Sequence, residues 1–171
     1  GDRGVREALD AFAGTTGRVP RAGHCDPRHH LAHVQVVHPD DVARFAGLGV
    51  AANLQMAWAC LDDQMIELNL PVLGPERSHW QYPFGDLDRA GTHLVAGSDW
   101  PVTTPDPLAA IHVGVNRMTY GATGREGEEP FLPEQAIALE RAFAAYTSGS
   151  ARINHRADAG VLRPGAVADL V

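Results

Sequence analysis

Thr92-His93-Leu94-Val95-Ala96-Gly97-Ser98-Asp99 is an apolar run that closes on a carboxylate. It does not alternate polar with apolar, which is the habit of strands covered on both faces. Two upstream runs share that character, His29 to Val37 and Val50-Ala51-Ala52-Asn53-Leu54-Gln55-Met56. Helix signals separate the three. His38-Pro39-Asp40-Asp41 opens a helix, with Pro39 near its first turn and acids at its positive end, and Leu48-Gly49 stops it. Helices are also expected within 60–69 and 74–90, the latter ended by Gly91. Upstream, Val5, Leu9 and Phe12 share one helical face, and Gly14 ends that helix. Downstream, Asp106-Pro107 is an N-cap and first-turn pair for a helix to about Met118. Pro133 is expected to open a long amphipathic helix through about Tyr146, with one more turn at 151–154. The tail, 160–171, reads as a turn leading into a strand. Strands alternating with helices mean parallel pairing through crossovers, an α/β chain.

The chain has 171 residues, the length of one ordinary domain. Hydrophobic residues are 44% and charged residues 20%, a composition that folds. No apolar run approaches the roughly 18 residues of a membrane span, so no membrane association is expected. Gly1 to Asp10 holds no apolar signal core, so no secretory signal is expected either. The formal charge is −7 and the arginines form no stripe, which makes nucleic acid and anionic lipid poor partners. All 14 basic residues are arginine. A Schiff-base, phosphate-loop or carbamylated lysine is thereby excluded from this chain. Cys25 and Cys60 form neither a close pair nor a disulfide framework, and read as reduced thiols of a cytoplasmic protein. Nine histidines are an unusual number and favour a metal or proton-transfer site.

In α/β architectures the functional side chains stand at the C-terminal ends of strands. Two such ends carry metal-capable groups: His33, after Leu31-Ala32, and Asp99. An imidazole and a carboxylate from different strands can share one divalent cation. Spacing alone leaves open a helix-capping Asp99 and a core His33. No GxSxG and no GxGxxG follows a strand, which argues against an α/β-hydrolase elbow or a dinucleotide site.

Taken in order, the motifs resemble a known family. They are His30-Leu31-Ala32-His33-Val34-Gln35, Asn53-Leu54-Gln55, Leu73-Gly74-Pro75-Glu76-Arg77, Gly97-Ser98-Asp99-Trp100-Pro101-Val102, Tyr146-Thr147-Ser148-Gly149-Ser150-Ala151, and Leu162-Arg163-Pro164-Gly165 with Ala168-Asp169-Leu170. The series is similar to the C-terminal portion of the metal-dependent amidohydrolases, specifically the amidohydrolase family 3 (YtcJ-like) group. The resemblance implies a TIM-like (β/α)8 barrel with a small β-sandwich. Residues 1–159 would then carry about strands 6–8 of the barrel with their helices. Residues 160–171 would begin the segment returning to the sandwich. His33 matches the strand 6 metal ligand and Asp99 the strand 8 aspartate, a ligand and the proton carrier of the reaction. The strand 5 histidine of the family would fall just before residue 1. The implied cofactor is one or two divalent ions, zinc above all. The implied reaction is hydrolysis of a non-peptide carbon–nitrogen bond of a small molecule through a metal-activated water. Arg77 and Trp100 are candidates for substrate contact.

Two positions depart from the family pattern. Ala32 stands where many members have Glu, and Trp58 where many have His. Of the other histidines, His30 is read as structural, His38 as the solvated start of a helix, and His93 and His112 as packing or surface residues. Three strands cannot close a barrel, and two ligands are fewer than the three protein ligands usual for catalytic zinc. The 171 residues alone are therefore expected to be inactive. The partners expected are a small-molecule substrate and the missing N-terminal part of the barrel, with a homo-oligomer left open. The competing reading is a non-catalytic binding or scaffold module that kept the fold.

Overall fold

In the computed structural model, residues 1–15, 27–121 and 128–169 are described. Cys25, part of the glycine-rich loop after Tyr120, and the last two residues of the expected tail strand lie outside them. Three short strands, β1 (His30–Ala32), β2 (Ala51–Leu54) and β3 (Leu94–Ala96), form a parallel sheet in the order β1-β2-β3. The register sets His30 against Ala51 and Ala52 against Leu94. Chain order equals sheet order, the pattern made by successive crossovers in one direction.

The first crossover is α2 (Pro39–Leu48), preceded in sequence by α1 (Asp2–Ala13). His38 is the N-cap of α2, its Nδ1 accepting the Asp40 N–H at 3.2 Å, a more specific task than a solvated start. Asp41 lies in the first turn of α2 and is almost wholly buried. Arg6 Nε of α1 and Arg44 Nη1 of α2 each donate to its carboxylate at 2.8 Å. Burial pushes that carboxyl up, but the two guanidinium groups outweigh it and hold it below the ordinary carboxylate value.

The second crossover is longer. A single π-helical turn at Met65–Asn69 runs into α3 (Leu70–Ser78), which breaks at Gly74 with φ 73. Then comes α4 (Phe84–Arg89). The helix expected within 60–69 thus starts at Asp63, three residues later. Asp62 Oδ1 accepts the Met65 N–H at 2.7 Å, which fixes the starting point.

After β3, α5 (Pro107–Asn116) is capped as expected, Asp106 Oδ1 accepting the Leu108 N–H at 2.9 Å. Pro133 opens one 3-10 turn and no long helix, because tertiary contacts hold the next residues extended. Gln135 exchanges hydrogen bonds with Asp86, and Ile137 donates to the Gly114 carbonyl at 3.2 Å. The helix begins at α6 (Leu139–Ala144), passes a π-helical turn (Ala145–Gly149) and ends in α7 (Ser150–Ile153). It lies flat on β3, where an added Cβ on Gly149 would stand 2.4 Å from the Leu94 carbonyl oxygen. Residues 160–169 form turns and no strand. Phe45, Leu54, Met56, Phe84 and Leu87 are completely buried between the sheet and these helices. Among the described residues no helix is long and apolar enough to cross a membrane.

Candidate active site

His33 follows β1 by one residue and Asp99 follows β3 by three. Both are therefore at the C-terminal edge of the sheet, on strands separated by β2. Both sit at positive φ, 69° for His33 and 60° for Asp99. The next residue, Val34, is also left-handed at φ 42°, which is costly for a β-branched side chain. Such residues cost on the order of 1–3 kcal/mol each and persist only where the surroundings over-determine them.

The surroundings do so here. At the end of β1, the Val34 N–H donates to the Ala32 carbonyl at 2.9 Å, making a three-residue turn around His33 in its strained hand. The His33 N–H donates to Gln55 Oε1 at 2.6 Å. Gln55 Nε2 donates to Asn53 Oδ1 at 3.0 Å, and Asn53 Nδ2 lies 3.3 Å from His30 Nδ1. A polar ladder thus runs from His30 through β2 to the candidate ligand. Beyond the turn, Tyr82 donates its N–H to the Gln35 carbonyl at 2.7 Å, and Val37 donates to the Trp80 carbonyl at 3.1 Å.

At the end of β3, Ser98 Oγ accepts the Trp100 N–H at 3.2 Å, and Thr103 Oγ1 donates to the Ser98 carbonyl. Val102 N–H closes a turn on the Asp99 carbonyl at 2.9 Å, with the cis Trp100–Pro101 peptide at its centre. These bonds use the backbone of the loop and leave the Asp99 carboxylate without a hydrogen-bonding partner among the described residues. The His33 imidazole is likewise exposed and unpartnered among them.

Imidazole and carboxylate are donors of the kind a zinc-like cation takes. They are two, however, and among the described residues no group of three or more His, Cys, Asp or Glu could hold a metal ion. The chemistry of the pair fits a divalent cation; its number requires at least one donor from elsewhere.

Trp100 is exposed beside Asp99. Arg77 is engaged elsewhere, its Nη2 donating to Asp2 Oδ1 of α1 at 2.7 Å, and it shares no hydrogen bond with His33 or Asp99. His79 Nδ1 donates to the Pro75 carbonyl at 2.7 Å, and His112 packs edge-on against Tyr120. Burial pushes the His93 imidazole down, aided by Arg152.

Three residues outside the expected set matter to the site. Asn53 of β2 and Gln55, one residue past its end, are two apart and their side chains meet, and polar side chains repeating at that period in an apolar run are a legible sign of a buried network. Arg117 carried no such sign. It is completely buried, donates to the Phe131 and Tyr82 carbonyls at 2.8 and 3.3 Å, and stacks between Phe84 and Phe131. Burial pulls its guanidinium down to about 10, outweighing the opposing pull of Cys60, Glu134 and Tyr82. Through Tyr82 it steadies the backbone of the loop that carries His33.

The chain is 27% identical to an uncharacterized metal-dependent hydrolase from Pyrococcus horikoshii OT3, with a TM-score of 0.72 over 98% of this chain and 31% of that one. A metal-dependent hydrolase from Pyrococcus furiosus gives 25% identity and a TM-score of 0.71, over 98% and 30%. Atrazine chlorohydrolase from Arthrobacter aurescens TC1, solved with zinc, shares the fold at 22% identity and a TM-score of 0.52, over 82% and 26%. Among curated proteins, Protein LONG AFTER FAR-RED 3 of Arabidopsis thaliana is 30% identical over 153 residues, 87% of this chain and 24% of that protein. The chain therefore spans 24% to 31% of the length of these relatives. The model of the Amidohydrolase family matches residues 1–171, and the chain belongs to that family.

Proposed function

We propose that this chain supplies the last three strands of a (β/α)8 barrel of the YtcJ-like kind. The complete protein would be a metal-dependent hydrolase of non-peptide carbon–nitrogen bonds in small molecules. The observation that carries this reading is the placement of His33 and Asp99. Both stand at the C-terminal edge of one parallel sheet, on backbone held left-handed. Family membership and the two Pyrococcus metal-dependent hydrolases support it.

His33 and Asp99 would hold the cation, with at least one donor from outside the described residues. A bound zinc-like ion, one or two in number, would supply an acidified water and a polarised carbonyl. His33 must be neutral to serve as a ligand. Asp99 takes a proton from the attacking water and delivers it to the leaving nitrogen. Its carboxylate is free for this because the loop satisfies its backbone through Ser98, Thr103 and Val102. Trp100 walls the approach to Asp99, and Arg77 anchors α3 to α1 through Asp2.

The experiment is Asp99→Asn in the complete protein. Asparagine tolerates φ 60° as well as aspartate does, so the loop keeps its shape while the proton acceptor is lost. Turnover of small amides should fall by about 10²–10⁴-fold with an unchanged circular dichroism spectrum. Retained turnover removes Asp99 from the mechanism and favours a binding module.

A further inference from the structure

We propose that Gln55 is a positioning residue for His33: its carboxamide, oriented through Asn53 and His30, holds the His33 backbone in the left-handed turn that presents the imidazole. The inference rests on His33 being a metal ligand.

The backbone N–H of His33 can only donate, so the Gln55 atom 2.6 Å away must be the carbonyl oxygen. That assigns the other end of the amide as Nε2, which can only donate to the Asn53 side chain at 3.0 Å. The Asn53 atom facing it is therefore Oδ1, and its Nδ2 faces His30 Nδ1 at 3.3 Å. His30 Nδ1 must then accept, so its proton sits on Nε2. One backbone N–H thus fixes two amide orientations and one histidine tautomer.

The ladder is built, not incidental. Gln55 is 5% exposed, and a buried carboxamide left unpaired is costly. An added Cβ on Gly97 would stand 3.8 Å from both Asn53 Oδ1 and Gln55 Nε2, so the adjacent strand closes over the pair. Beyond Ala32 the chain leaves the ladder of β1, and the His33 N–H is answered by the side chain of Gln55, the residue after β2, rather than by backbone. Gln55 Oε1 and the Ala32 carbonyl are the two acceptors that define the turn.

The test measures zinc affinity by chelator competition, with Zn²⁺ alone, in the complete protein. Gln55→Leu removes the acceptor and should weaken binding by about 10- to 100-fold, the usual effect of losing a group that orients a ligand. Gln55→Glu keeps an oxygen facing the His33 N–H and should bind close to wild type. His33→Ala serves as the reference. If Gln55→Leu binds zinc as wild type does while His33→Ala does not, the positioning role is overturned and His33 stands as a ligand. If both bind as wild type, the metal reading beneath it is overturned as well. A second readout needs no metal and covers a Gln55→Leu protein that does not fold. In Gln55→Glu the second carboxylate oxygen must be met by Asn53 Nδ2, so the Asn53 amide turns over and presents Oδ1 to His30. The His30 proton should then move from Nε2 to Nδ1, visible in nitrogen-15 NMR. An unchanged His30 tautomer overturns the proposal.

Discussion

Gly149→Ala tests the seat of β3, and Gly4→Ala is its control, since both place the same methyl on a helix. On Gly149 the added Cβ would meet the Leu94 carbonyl oxygen at 2.4 Å and the Ala144 oxygen at 3.1 Å, where ordinary contact begins at 3.4 Å. Neither neighbour is the end of a flexible side chain, so helix and strand must part by about 1 Å, an overpacking that costs about 1–3 kcal/mol. The parting also strains the bond from Ser150 Oγ to the Ala96 carbonyl, 2.9 Å long, a further loss of about 1 kcal/mol. Alanine's helix preference returns up to about 1 kcal/mol. The net expectation is destabilisation by about 2 kcal/mol, read from urea midpoints at constant slope. At Gly4, in the first turn of α1, nothing lies within 4 Å of the added Cβ, so the propensity gain stands alone. Gly4→Ala should stabilise by about 0.5 kcal/mol. Gly149→Ala as stable as the parent would mean that the helix does not press on β3, and the placement of Asp99 three residues beyond that strand would lose its support.

Asp41→Asn should cost about 2 kcal/mol at neutral pH, less than a fully buried pair because Arg6 and Arg44 keep 44% and 30% of their side chains in solvent. The sign with pH follows from the depressed carboxyl: its contribution is whole above the ordinary value of 3.8 and is lost as pH falls below it, so the parent should weaken more steeply on acidification than Asp41→Asn in equilibrium unfolding. Asp106→Ala should remove about 1 kcal/mol by uncapping α5, with Asp106→Asn restoring most of it; equal stability of all three would show the cap to be idle. His33→Gly should raise unfolding free energy by about 1 kcal/mol while abolishing zinc binding, because glycine carries φ 69° without strain; a loss of stability would mean that the imidazole packs rather than ligates.

The sheet was legible because each strand is a short apolar run bounded by helix signals, and runs of that kind have few other uses. His38-Pro39, Leu48-Gly49, Gly91 and Asp106-Pro107 mark boundaries by local chemistry, and local chemistry prevailed there. At Pro133 it did not. Gln135 and Ile137 are held by Asp86 and Gly114, partners remote in sequence, and these hydrogen bonds outweigh the propensity of a first-turn proline. His33 and Asp99 could be found as strand ends without any structure, whereas Arg117 could not. A guanidinium answered by two backbone carbonyls leaves no charged partner in the sequence to search for.

The two ends of the sheet differ in how they turn. Ahead of β2 and β3 the left-handed positions are Gly49 and Gly91, with φ 67° and 78°, which glycine adopts at little cost. Past the ends of β1 and β3 they are His33, Val34 and Asp99, each of which would be easier as glycine. Arg28, ahead of β1, departs from the pattern, and its guanidinium is tied to the Arg152 carbonyl. Turning the chain cannot explain the strained residues, since glycine turns it equally well at the opposite edge of the same sheet. What glycine cannot supply is a side chain. His33 and Asp99 bring an imidazole and a carboxylate, while Val34, 1% exposed, is locked by the core beside His33. The strained edge is therefore the one where side-chain identity matters, and it is the edge where a parallel α/β sheet places its chemistry.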